Sequence, residues 1–514
     1  MKIALLAAYF IVLLWIGFKC RKGAGSVSGF VLGGRSVGAW LTAFAYGTSY
    51  FSAVVFVGYA GQFGWKYGIS ATWAGIGNAV IGSLLAWVVL GRRTRLLTQH
   101  LDSSTMPEFF GKRFDSKALK LVASAIIFVF LVPYTASLYN GLSRLFAMAF
   151  SMDYSVCIVL MSVLTAIYVI AGGYLATAVN DFIQGIIMLF GLVAIIAAVL
   201  MSKGGFVAAL DGLARIPGPA IVPGGAPTPG IFASFFGPDP LNLLFVVILT
   251  SLGTWGLPQM VQKFYAIKNE DAIRKGTVIS TLFAFVVAGG CYFLGGFGRL
   301  FGDKVDIAKD GFDAIIPAML SNLGPGLIAL TVILVLSASM STLSSLVIAS
   351  SSTLTSDFIK SAFVPNMKQK NEVLIIRLFI VVFIAISAVL AILQHKSSVT
   401  FIAQLMGISW GALAGSFLAP FLYSLYWKGT TKAACWASFA FGSGLMIYNM
   451  LFRATLPEIL RSPINSGAIA MLAGFIIVPV VSWLTKAPDR RFTDALFACY
   501  ERTRQVTAKT DLGE

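Results

Sequence analysis

A chain of 514 residues that is 58% hydrophobic and 11% charged, with a mean hydropathy of +0.85, carries more apolar surface than a soluble globule of this size can bury. It reads as a polytopic membrane protein, and its net charge of +17 then belongs to cationic loops on the cytoplasmic side rather than to a nucleic-acid surface. Five scattered cysteines give neither a disulfide framework nor metal-ligand spacing, and two histidines, His100 and His395, are too few for a catalytic or metal-binding cluster.

The first apolar run, residues 3–18, is followed rather than preceded by its positive flank (Lys19, Arg21, Lys22) and has no small-residue cleavage site. It therefore reads as a retained helix with its N-terminus outside, not as a signal peptide. Further runs of spanning length follow at 39–61, 71–90, 119–150, 156–170, 175–201, 241–265, 278–297, 326–357, 373–393, 401–427, 433–452 and 468–484. The expectation is about thirteen transmembrane helices. With the N-terminus outside, Arg35, Arg92, Arg93, Arg95, Lys112, Arg113, Lys263, Lys268, Arg274, Lys360, Lys428 and the basic tail all fall on the cytoplasmic side. The expected location is a plasma (inner) membrane, with the C-terminus cytoplasmic.

Two of these runs are interrupted. Residues 43–61, AFAYGTSYFSAVVFVGYAG, are broken near Gly47, Thr48, Ser49 and Ser52, and residues 251–260, SLGTWGLPQM, near Gly253, Gly256 and Pro258. Inside a bilayer an unwound turn survives only where it is buried in protein or lines a cavity, and two broken segments in corresponding halves point to a transporter's midplane site. Each broken run opens a block of five helices, and because five is odd the blocks enter the membrane from opposite sides. The sequence divides accordingly into a first helix and loop (1–36), two five-helix repeats (37–202 and 241–427) joined by an external loop (203–240), two additional helices (428–485) and a tail (486–514).

The richest constellation is SASMSTLSS, residues 337–345. At helical spacing Ala338, Ser341, Thr342 and Ser345 share a face, with Ser344 one turn beyond Ser341. Two readings stand: hydroxyls that face a broken helix can complete the oxygen shell of a small cation together with carbonyls near Thr48 and Phe51, and small residues also let membrane helices pack closely. Asp181, at the start of the run 175–201, likewise has two readings, a functional intramembrane acid or a cap at the helix N-terminus. Tyr50, Ser52, Tyr134, Asn140, Trp255, Gln259 and Gln404 are the candidates for a solute pocket, among many aromatics that serve only packing. There is no phosphate-binding loop and no nucleophile–base set, so an ion gradient is the remaining energy source and an enzyme is not expected.

At these residues the chain resembles the sodium/solute symporter family, from FVLGGRSVGAWLTAFAYGTSYFSA through AGGYLATAVNDFIQG and WGLPQMVQKFYA to SASMSTLSSLVIASSSTLTSDF. The resemblance implies an all-α, leucine-transporter-like core with a five-plus-five inverted repeat and coupled import of Na⁺ and a small organic solute. It implies a main Na⁺ site at Thr48, Phe51, Ala338, Ser341 and Thr342, and, from sialic-acid-transporting members, a second at Asp181, Ser341, Ser344 and Ser345. Sodium/proline symporters carry an Asp where this chain has Tyr50, whereas Ser52 keeps the serine they have two positions later. The stretches TSYFSAVVFVG, KYG and LPQ are closer to the sodium/pantothenate branch. The expected solute is a carboxylate or an amino acid, carried through the lipid bilayer by alternating access. The alternative is a proton-coupled carrier or solute sensor of the same fold. The oligomeric state is left open, a monomer included.

Overall fold

The computed structural model describes residues 2–150, 152–219, 227–321, 323–396 and 402–501, and among these the chain is helical with no strand. Among the described residues, ten helical runs are long and apolar enough to cross a membrane. Two of them are long enough for two crossings each, and with the shorter apolar helix Ala7–Cys20 this agrees with about thirteen spans. Val54–His100 turns at Gly68, whose φ of +64° few side chains tolerate, and Tyr154–Met201 is bent at Gly173 (φ +58°, ψ −154°).

Both interrupted segments are broken, each at one extended residue. The first helix, Ala39–Tyr50, stops at Phe51 (φ −92°, ψ 117°) and resumes by Val54, whose N–H is capped by the Ser52 hydroxyl at 3.2 Å. The second, entering at Pro240–Val247, reaches Gly256, passes through Leu257 (φ −83°, ψ 123°) and restarts as Pro258–Ala266 with proline at its first turn. The break is narrower than the sequence suggested. Gly47, Thr48 and Ser49 are still helical, and a Cβ on Gly47 would meet Phe283 at 2.4 Å, so that glycine serves packing and not unwinding.

Around this pair the helix Pro325–Ser352, which carries the serine run, packs against Tyr154–Met201, Lys117–Phe150 and the first broken helix. Helices Ile402–Tyr426, Lys432–Phe452 and Pro463–Leu484 pack together at one side. Lipid-facing positions such as Leu374, Leu378, Val389 and Leu393 lie exposed along Gln369–Lys396.

Close approach relies on small residues, as expected where the bilayer gives no hydrophobic drive for helices to associate. A Cβ on Gly64 would lie 1.9 Å from the Gly295 carbonyl oxygen, which is backbone and cannot swing away. Gly64→Ala is expected to lower the thermal midpoint of the purified protein by several degrees, given that overpacking costs about 1–3 kcal/mol. An unchanged midpoint in a fluorescence melt would show that the two helices slide apart freely.

At the end where the basic loops gather, the two broken helices are tied together. Val37 donates its N–H to the Ala266 carbonyl (3.2 Å), and Lys268 donates back to the Val37 carbonyl (3.0 Å). Arg35 reinforces this tie by donating to the carbonyls of Ser103 (2.6 Å), Tyr265 (3.3 Å) and Thr98 (3.4 Å). Burial lowers the Arg35 pKa from its ordinary value, with Asp102 and the Tyr265 phenol opposing that shift. At the opposite end a cavity of about 890 Å³, lined in part by Asp239, Gln404 and Arg453, reaches down to Gln62 and Phe63 on the resumed half of the first broken helix.

Candidate functional site

A helix that stops at Tyr50 leaves carbonyls in its last turn without their usual intrahelical partners. Those of Thr48 and Phe51 point at the serine helix. Thr342 Oγ1 donates among Thr48 O (3.1 Å), Phe51 O (3.3 Å) and Ala338 O (3.1 Å), and Ser341 Oγ among Thr48 O (3.2 Å) and Ala338 O (2.9 Å). Five oxygens thus converge from two segments nearly 300 residues apart, and all five residues are buried.

The chemistry of this cradle is specific. Oxygen ligands held about 2.3–2.6 Å from a hard cation lie about 3.3–3.7 Å from one another at right angles, so the cradle needs to widen by only a few tenths of an ångström to take one. Every donor in it is neutral. A divalent ion in a dry interior calls for carboxylates, so three carbonyls and two hydroxyls suit a monovalent cation.

One turn further along the serine helix the environment changes. Asp181 is fully buried, about two turns past the bend at Gly173, so it does not cap a helix at an interface. Neither of its carboxylate oxygens has a hydrogen-bond partner. The serines expected beside it are engaged elsewhere: Ser344 Oγ donates to Ser341 O (2.9 Å), and Ser345 Oγ lies 3.0 Å from both Ser49 Oγ and Lys263 Nζ. Lys263 corrects the sequence reading outright. Counted there among loop cations, it is 1% exposed, because Pro258–Ala266 runs on through the core beyond the break. A lone Lys inside the apolar run LPQMVQKFYA was the signal.

The solute-pocket candidates divide. Tyr134 hydroxyl stands beside Ser52 and Trp410, its ring meeting the Trp410 ring edge-on at 5.9 Å. Trp410 in turn covers Gly253 on the second broken helix, and the buried Tyr59 hydroxyl near Tyr134 has no partner. Ser52, Tyr134 and Trp410 therefore bridge the two breaks. Sequence reasoning missed Tyr59 and Trp410, which nothing but their place in the fold separates from the other aromatics. Gln259 is fully buried just after the second break with both amide atoms unpartnered. The remaining candidates are not brought into this cluster. Trp255 donates to the Ile81 carbonyl at 2.9 Å, Asn140 bonds Tyr154 and Gln394, and Gln404 lines the outlying cavity and accepts from Arg453. The side chain of Tyr50 lies outside the described residues.

Residues 30–442 match the family model described as the sodium:solute symporter family. A sodium/proline symporter of Staphylococcus aureus is 30% identical over 505 residues, covering 94% of this chain and 93% of the relative. Among solved structures, the substrate-bound, outward-open state of a Na⁺-coupled sialic acid symporter superposes with a TM-score of 0.72 at 16% identity, over 95% of this chain and 99% of that one. A manganese transporter of Eremococcus coleocola superposes with a TM-score of 0.51 at 13% identity, over 88% and 95%. At such identities these likenesses show the fold, the five-plus-five inverted repeat of leucine-transporter-like carriers.

Proposed function

The chain belongs to the sodium:solute symporter family, and on that premise we propose that it imports a small organic solute, a carboxylate or an amino acid, coupled to Na⁺. The observation that carries this reading is the convergence of five neutral oxygens from Thr48, Phe51, Ala338, Ser341 and Thr342. A Na⁺ ion seated there ties the first broken helix to the serine helix. Because it interacts more strongly with the state in which the two are aligned, it biases the carrier toward that state. The solute then binds between the breaks, against Ser52, Tyr59, Tyr134, Trp410 and Gln259, and draws the two broken helices together. Release follows when the tie at the basic end opens. Clustering of Arg35, Arg92, Arg95 and Lys112 at that end supports a cytoplasmic placement for it, with the N-terminus outside.

Proteoliposomes given an inward Na⁺ gradient should accumulate labelled proline or labelled pantothenate, and an equal K⁺ gradient should not support uptake. Accumulation indifferent to Na⁺ rules the reading out. A second reading, a proton-coupled carrier of the same fold, is favoured by the unpartnered carboxylate of Asp181. Uptake that follows an imposed pH gradient with Na⁺ absent would select it.

A further inference from the structure

Among the described residues, Lys263 and Asp181 are opposite charges sealed inside this protein next to the serine helix, and the Na⁺-coupled reading above uses neither. Lys263 is 1% exposed and Asp181 0%. The ammonium donates to Ser345 Oγ at 3.0 Å and lies 5.0 Å from the centre of the Tyr174 ring, a favourable seat for a cation over a π face. The carboxylate is near enough to the phenols of Tyr9, Tyr168 and Tyr174 to act on them, and among the described residues the cation that acts on it is Lys263. The two groups are not in contact as an ion pair: the ammonium bonds Ser345 Oγ, and neither carboxylate oxygen has a hydrogen-bond partner.

A buried carboxylate with hydroxyls nearby is what a cation site needs, and an unpaired buried charge is costly to leave uncompensated. Here the compensating charge is already covalently attached, on a flexible four-carbon stem. Ser345, one of the hydroxyls expected to complete a metal shell at Asp181, already accepts from that ammonium. A metal ion placed between Ser345 and Asp181 would therefore lose one ligand and meet a like charge in a dry interior, where repulsion is poorly screened. We propose that the Lys263 ammonium takes the place of a second transported cation at Asp181, so that this protein loads one Na⁺ per cycle, at the neutral cradle alone. The proposal rests on the reading of that cradle as a Na⁺ site.

Equilibrium binding of ²²Na⁺ to the purified full-length chain tests it with Na⁺ itself as the probe. The unmodified protein should bind one Na⁺ per chain with a Hill coefficient close to one. Lys263→Met keeps an unbranched side chain one atom shorter and removes its charge, and it should bind two, with a Hill coefficient above one. Adding Asp181→Asn to Lys263→Met should return the stoichiometry to one, and Lys263→Arg should stay at one. Two Na⁺ ions on the unmodified chain, or one on a folded Lys263→Met, overturns the proposal while leaving the cradle intact. No Na⁺ bound by the unmodified chain refutes the cradle itself, and the proposal falls with it. If Lys263→Met does not fold, Asp181→Asn alone decides: unchanged binding of one Na⁺ supports the proposal, and a drop from two to one overturns it.

Discussion

Replacing Thr342 by alanine should raise the Na⁺ concentration for half-maximal solute uptake by about 10- to 100-fold. The expectation follows from its position. Thr342 Oγ1 lies within 3.3 Å of Thr48 O, Phe51 O and Ala338 O, so this one hydroxyl sits among all three carbonyls of the cradle. Loss of a contact to a charged group costs about 1.5–3 kcal/mol, and each 1.4 kcal/mol is tenfold in an equilibrium constant. Thr342→Ser keeps the oxygen and drops only the methyl group, so it should stay close to the parent. Ser341→Ala removes a hydroxyl that reaches two of the carbonyls and should give a smaller shift in the same direction. Initial uptake rates measured against Na⁺ concentration decide the matter. Unchanged Na⁺ dependence in both alanine variants would contradict the assignment of these five oxygens to the ion.

The second large effect is expected at the tie between the broken helices. Arg35→Ala removes three hydrogen bonds from a charged donor to the carbonyls of Thr98, Ser103 and Tyr265. Even if only one of the three carries a net 1.5–3 kcal/mol, opening at this end becomes at least about tenfold more frequent. The backbone pairing of Val37 with Ala266 and Lys268 then loses its brace. Hydrogen exchange followed by mass spectrometry should show faster exchange at the Val37 and Lys268 amides, while the core of the serine helix keeps its protection. Uptake should also lose its tight dependence on Na⁺, since a carrier that opens without the ion leaks. Equal exchange at Val37 and Lys268 in the two proteins would mean that Arg35 is a bystander and the backbone bridge suffices.

Much of this architecture was legible in the sequence because the bilayer leaves little choice. Spanning length, the asymmetry of Lys and Arg, and hydroxyls placed three and four residues apart are local signals, and they gave the thirteen spans and the shared face of Ser341 and Thr342. Breaks in helices are also local, yet their cause was misjudged. Gly47 and Gly253 looked like points of unwinding, whereas both sit in helical backbone and make room for rings, Phe283 against the first and Trp410 against the second. The residues that unwind are Phe51, whose type carries no such signal, and Leu257, which Pro258, marked in the sequence, pushes into extended backbone. Long-range partners were beyond reach for the same reason. Nothing near Lys263 in the chain indicates that its ammonium ends against Ser345, 82 residues away, nor that Asn140 bonds Tyr154 and Gln394 and that Gln404 accepts from Arg453.

The proposed seating of Na⁺ in a cradle without a carboxylate has an electrical consequence. With its Na⁺ aboard, the cradle adds a full positive charge to the inward-moving carrier, and on the return it adds none. For a zwitterionic solute the cycle is then electrogenic, and each 100 mV of membrane potential contributes about 2.3 kcal/mol, worth roughly 50-fold in accumulation. For a monoanionic solute the two charges cancel, voltage drops out, and only the concentration gradients remain. A current recorded during uptake would thus report on the chemical class of the passenger.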